Sequence, residues 1–229
     1  EYISGNPNVK LISAPVCLTY SHTFFQKAQA LEFSGLIGIG AACIAQKMPT
    51  MCNGANLIYQ KSAYKNVNGF AGNETLASGD DEFMMHKIAA EWQDDVHFLK
   101  SQESIVYTSA LLGIKAFLQQ RKRWASKGKH YKSTKLTLLL ASVYIFYALT
   151  LASLFLGFFH WKYFIVLIFA LLLKCLPEWI FLRRISVFFN RKELMNCYFV
   201  TVLLQIVYVV IIGIYGNFGK YNWKGREVK

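Results

Sequence analysis

Apolar residues change their spacing several times along this chain, and each change predicts a different element. Residues 9–18 hold an almost unbroken apolar run, which predicts a buried strand interrupted or ended near Pro15. From Ser21 to Ala45 the apolar positions, led by Phe24, Phe25, Ala28 and Leu31, recur at helical intervals. The stretch MPTMCNGANLIYQKSAY then sets two short apolar runs around an Asn-Gly turn. A Gly/Asn-rich loop, NGFAGNETLASG, leads into three consecutive acids, and after them Met84, Met85, Ile88, Ala89 and Trp92 predict a second helix. DVHFLK and SIVYTS read as two strands joined by a short polar turn. Residues 1–114 are therefore an α/β mixture.

Beyond residue 135 the pattern differs in kind. Residues 136–159 are 24 positions without a charge, and residues 197–218 are 22 more, with Gln205 the most polar. Each run is long enough to cross a hydrocarbon core of about 30 Å as a helix. Between them, residues 163–182 form a third predicted span that carries Lys174, Pro177 and Glu178. Intramembrane ionisable groups pair or face protein, and Lys174 and Glu178, four apart on a helix, can pair with each other.

Charge sharpens this division. Residues 1–114 hold 7 Lys/Arg against 10 Asp/Glu, whereas residues 115–229 hold 18 against 3. The basic residues lie between apolar runs, which points to anionic lipid headgroups as partners and away from nucleic acid. Residues 115–135 alone hold eight Lys/Arg and no acid, and the connection after the second span holds Arg183, Arg184, Arg191 and Lys192. Both are cytoplasmic by the positive-inside rule. Three spans then put the tail GKYNWKGREVK, with four basic residues and one acid, on the other side, so the rule fails for the tail or one segment does not cross. Five widely spaced cysteines without a C-x-x-C suggest neither a disulfide framework nor a zinc site and fit a cytosol-facing protein. No charged-then-apolar leader opens the sequence, which reads as beginning in mid-domain.

The candidate chemistry sits in SGDDEF. Ser78 stands three residues before Asp81, the spacing of a capping box, and acids in a first turn suit the helix dipole. Asp80 and Asp81 serve equally as a catalytic base, and these residues alone leave both readings open. GDDEF is one residue from the GGDEF signature of diguanylate cyclases, but that signature lies in a hairpin turn and here a helix follows. A second motif, Gln120, Arg123 and Trp124 as Q-x-x-R-W, would share one face of a helix ahead of the first span. Its alternatives are a basic interfacial helix with a headgroup Trp and a phosphate-binding Arg beside a sugar-stacking Trp.

CNGAN, SGDDEF and QRKRW, in this order and followed by membrane helices, closely resemble the carboxy-terminal part of membrane-integrated family 2 glycosyltransferases. These include the cellulose, chitin and hyaluronan synthases and ceramide glucosyltransferase. The resemblance covers essentially the whole chain. It implies a partial GT-A (Rossmann-like) catalytic domain in residues 1–114 and a basic interfacial helix in 115–135. A membrane region of about three helices follows in 136–218, then a basic tail in 219–229. It implies an inverting transfer of a sugar from a nucleotide-sugar, of the UDP type, to a lipid or saccharide hydroxyl at the cytoplasmic face of a bacterial inner membrane. Asp81 would be the base, with Asp80 shaping the site. Arg123 would stabilise the departing diphosphate, Trp124 would line the acceptor site, and Gln120 would orient the pair. Asn53, Gly54, Ala55 and Asn56 would form the acceptor-side loop, for which a plain Asn-Gly hairpin turn is the alternative. The tail NWKGR resembles a W-x-G-R element of some members.

The family's D-x-D, which ligates Mg²⁺ or Mn²⁺, is absent from the sequence, as is a Gly-rich phosphate loop. The expectation is that the full enzyme uses such a metal through ligands outside this chain, and that these 229 residues alone lack the donor-binding half. A non-catalytic membrane subunit or remnant is the alternative. A transport protein built on Lys174 and Glu178 would leave the α/β half unexplained.

Overall fold

Pro15 has no N–H to give to a strand ladder, and the first strand is split around it. The computed structural model describes residues 1–21, 23–72, 78–131, 133–217, 221–223 and 226–228. After one helical turn, α1 (Tyr2–Gly5), come β1 (Leu11–Ser13) and β2 (Val16–Thr19). β1 pairs antiparallel with β3 (Leu57–Tyr59) and parallel with β4 (Val96–Phe98), while β2 pairs parallel with β5 (Val106–Ser109). The gap between the two sheets is closed by hydrogen bonds. Ala14 N donates to Asn56 O (3.0 Å) and Val106 N to Pro15 O (3.1 Å). The Asn56 side chain donates to Pro15 O (2.9 Å) and Ser104 O (2.7 Å). β4 and β5, adjacent in sequence and joined by a short polar turn, do not pair with each other. Each runs parallel to one half of the broken strand.

α2 (Phe24–Ala45) is capped by Thr23 and joins the two cores of the molecule. Its first half packs with β2 and the later helices around Leu31, Phe33, Leu182 and Tyr198. Its end, at Ile44, meets Leu11, Val96 and the apolar face of α4 (Asp80–Glu91), formed by Met84, Met85 and Ile88. Between α2 and α4 lie β3 and the short α3 (Lys61–Asn66). The chain then enters α5 (Ile114–Ser126), a 3₁₀ segment (Lys127–His130), α6 (Thr134–Gly157), α7 (Lys162–Phe188), a second 3₁₀ segment (Lys192–Cys197) and α8 (Tyr198–Asn217). A small antiparallel pair, β6 (Tyr221–Trp223) and β7 (Arg226–Val228), ends it. Lys224 and Gly225, the centre of the W-x-G-R element, lie outside the described residues.

Among the described residues four helical segments, not three, are long and apolar enough to cross a membrane: α2, α6, α7 and the stretch Lys192–Tyr215. They differ in how much the chain itself covers. α6 and α7 leave most of their surface open, whereas about half of α2 is buried inside the protein. α2 approaches α7 through glycines. A Cβ at Gly35 would lie 2.9 Å from Leu182 Cδ2, and one at Gly38 would lie 2.7 Å from Ile185 Cδ1. Lys174 does pair with Glu178 across Pro177 in α7, and its ammonium also donates to Gln205 of α8 (3.1 Å). The basic helix expected through residue 135 ends at Ser126, and the chain makes a 3₁₀ turn before α6 begins.

Candidate active site

Three adjacent acids on a helix cannot share one environment, because successive side chains turn by about 100°. α4 separates them accordingly. Asp80 is exposed, Asp81 is half-buried and Glu82 is buried. The turn into the helix is made by Gly79 at φ 101°, a left-handed conformation that favours glycine. A Cβ there would also fall 2.7 Å from Lys127 Cδ and 2.9 Å from Phe83 Cε2.

Asp81 is held by two backbone donors. Its Oδ2 accepts from Gly54 N at 2.8 Å, and its Oδ1 accepts from Glu82 N at 2.9 Å. Each oxygen keeps a second lone pair for a ligand's hydroxyl. Gly54 belongs to the Asn53–Asn56 loop, which is not a hairpin turn, since no strand precedes it. Asn53 Oδ1 accepts from Ala55 N (2.9 Å), closing a 3₁₀ turn, and Asn56 is anchored to the strand break described above. Gly54 and Ala55 are exposed beside Asp81. This loop and the first turn of α4, 27 residues apart in sequence, therefore form one rim.

Glu82 faces inward. Its Oε1 meets Lys127 Nζ at 2.9 Å and its Oε2 accepts from Tyr131 OH at 2.8 Å, so the buried carboxylate has a partner on each oxygen. Burial, and after it the charge of Glu82, push the Tyr131 hydroxyl well above its ordinary range and keep it a donor. Burial and the charges of Asp81 and Glu82 likewise push the Cys52 thiol up. His86, lowered by burial, donates to Thr50 O (3.0 Å) and is held neutral. Nothing in the sequence spacing marked Glu82, Lys127 and Tyr131 as a set. They come together because the 3₁₀ turn after α5 folds Lys127 back over Gly79.

Ser78 does not cap α4. Its hydroxyl instead accepts from Arg123 Nη1 at 2.9 Å, which brings the Q-x-x-R-W helix to the carboxylate turn. Gln120 and Trp124 do not accompany Arg123. Gln120 Oε1 accepts from Arg121 Nη1 (2.9 Å), and the Trp124 ring lies under the Arg121 guanidinium (4.3 Å) and beside Phe33 (6.4 Å). Asp81, Asp80, the Asn53–Asn56 loop and Arg123 thus share one region, while Gln120 and Trp124 lie against the next one.

This donor set does not form a metal centre. Asp81 is bonded to two backbone amides and Glu82 to a lysine and a tyrosine. Among the described residues no three His, Cys, Asp or Glu side chains converge as ligands would. In comparison with known proteins, the family model described as glycosyl transferase family group 2 matches residues 2–212. None of the curated proteins compared with the chain matches it.

Proposed function

Because the chain belongs to glycosyl transferase family group 2, we propose that it carries the acceptor side and the diphosphate-facing arginine of an inverting, membrane-associated transferase. The observation that supports this reading best is that the turn Ser78–Asp81 is joined at once to the Asn53–Asn56 loop, through Asp81, and to Arg123, through Ser78. Asp81 takes the proton from an acceptor hydroxyl. The freed oxygen attacks the anomeric carbon of a UDP-sugar as the bond from that carbon to the diphosphate oxygen breaks, with inversion. Arg123 sits where a guanidinium can meet the negative charge that gathers on the departing diphosphate. The backbone donors of Gly54 and Glu82 orient the Asp81 carboxylate, and Asp80, exposed at the same turn, contacts the incoming acceptor.

The catalytic part is residues 1–114, α5 is the interfacial helix, and the apolar helices hold the site at the cytoplasmic face of a bacterial inner membrane. Acceptors are lipid or saccharide hydroxyls. The nucleotide and a Mg²⁺ or Mn²⁺ are bound mainly by residues that this sequence does not contain, which rests on the absence of a D-x-D and on the donor set above. The test is turnover of UDP-sugars by membranes carrying the protein, with the anomeric configuration of donor and product compared by NMR. Inverted product that disappears in D81N supports the reading. Product of retained configuration, or turnover unaffected by D81N, would sink it.

A further inference from the structure

Within α5, two arginines separated by one residue do different work. Arg123 reaches Ser78 at the carboxylate turn, whereas Arg121 is buried on the opposite side. Arg121 Nη2 pairs with Glu32 Oε2 of α2 at 2.7 Å, and the other oxygen of Glu32 accepts from Tyr208 OH of α8. Three helices therefore meet on one ion pair. The same guanidinium donates to Gln120 Oε1 and lies between the rings of Phe117 (4.5 Å) and Trp124 (4.3 Å). It touches Gln120 and Trp124 of the Q-x-x-R-W motif directly.

We propose that Arg121 is the positioning residue of the site: fixed on Glu32, it sets the pose of α5 that carries Arg123 to Ser78 and holds Trp124 in place. The geometry of the contact requires an arginine. A planar guanidinium can lie flat on two rings while its edge bonds a carboxylate and an amide, and an ammonium cannot do both. The consequence for chemistry rests on the reading of Arg123 as the diphosphate-facing residue, but the consequence for structure does not. If α5 shifts by about 1 Å, the Arg123–Ser78 contact is lost, and misplacement of that size weakens a site about 100-fold.

The experiment uses the full protein in lipid nanodiscs, as the native chain and as R121K, R121M and R123M. Hydrogen exchange is followed at the amides of residues 78–83 and along α5, together with thermal midpoints and calorimetric titration with UDP. Both R121M and R123M are expected to speed exchange at residues 78–83. R121K, which can keep the pair with Glu32 but not both ring contacts, is expected to unfold closer to the native midpoint than R121M does and still to bind UDP about 10- to 100-fold more weakly. An R121K that binds UDP as the native chain does, while R121M is merely destabilised, would reduce Arg121 to a structural ion pair and overturn the proposal. Native protein that fails to bind UDP would bear on where the nucleotide site lies, which the proposed function assigns mainly outside this sequence, and not on Arg121. Exchange at residues 78–83 then decides the positioning role alone, and no change there in R121M would overturn it.

Discussion

At the scale of single residues the site separates groups whose loss should be felt in turnover from groups whose loss should be felt in stability. Asn in place of Asp81 keeps an oxygen for only one of the two backbone donors, Gly54 N and Glu82 N, and cannot take a proton. D81N should therefore still fold, at a cost of about 1–3 kcal/mol, while turnover of a UDP-sugar falls by about 10²–10⁴-fold, as loss of a general base does. Tyr131 is the reverse case. Y131F leaves one oxygen of buried Glu82 without its donor and should cost about 1–3 kcal/mol in denaturant unfolding. The glycines divide the same way. An added Cβ at Gly54 meets Asp81 at an ordinary 3.4 Å, so G54A should be tolerated. At Gly79 the positive φ and the crowding by Lys127 and Phe83 make G79A destabilising by about 1–3 kcal/mol. Asp81 and Arg123 stand out as candidates in the sequence because their motifs are local runs. Glu82 stood in the same run, yet its role depends on Lys127 and Tyr131, whose approach is set by a 3₁₀ turn that no periodicity announces. Of the two readings left open at Ser78, the cap is not made: capping is a local expectation, and the arginine that bonds its hydroxyl comes from 45 residues away.

At the scale of elements, hydrophobic period identified the helices and most strands, since burial on one face leaves a local trace. Pairing leaves none. β4 and β5 read as two strands joined by a short polar turn, with no partner named, and β1 and β2, on either side of the Pro15 break, give each of them a parallel one. The larger surprise is α2, read as an ordinary helix of the α/β part. Its glycines at 35 and 38 let α7 approach closely, so it binds the strands to the membrane helices. A side chain at Gly38 would meet Ile185 Cδ1 and Phe181 Cζ within 3 Å. G38V should therefore separate α2 from α7 and lower the thermal midpoint of the protein in detergent, with overpacking costs of about 1–3 kcal/mol. G72V, at a glycine whose Cβ would meet nothing, serves as the contrast only for space, because its φ of +83° is strained for any side chain. Gly5, open on all sides and not in that conformation, is the better control, and G5V should leave the midpoint unchanged.

At the scale of the whole molecule, the basic tail posed a conflict that counting apolar runs could not resolve. Three crossings would set it opposite the basic residues of α5, against the charge rule. The structure brings β6 of the tail against α5, which precedes α6 in the chain. Two parts in contact lie on one side of the membrane, so an even number of crossings separates them. α6 and α7, whose surfaces the protein leaves almost bare, meet that requirement as a crossing hairpin. On that arrangement α2 and α8, both partly covered and joined to α5 through Glu32, Arg121 and Tyr208, are expected to lie against the α/β part without carrying the chain across. Single cysteines in a cysteine-free background test this arrangement in intact cells. An impermeant maleimide should label H160C, in the turn between α6 and α7, from outside. K192C and E227C should react only once the membrane is opened. Labelling of E227C in intact cells would make the number of crossings odd and would separate the tail from α5.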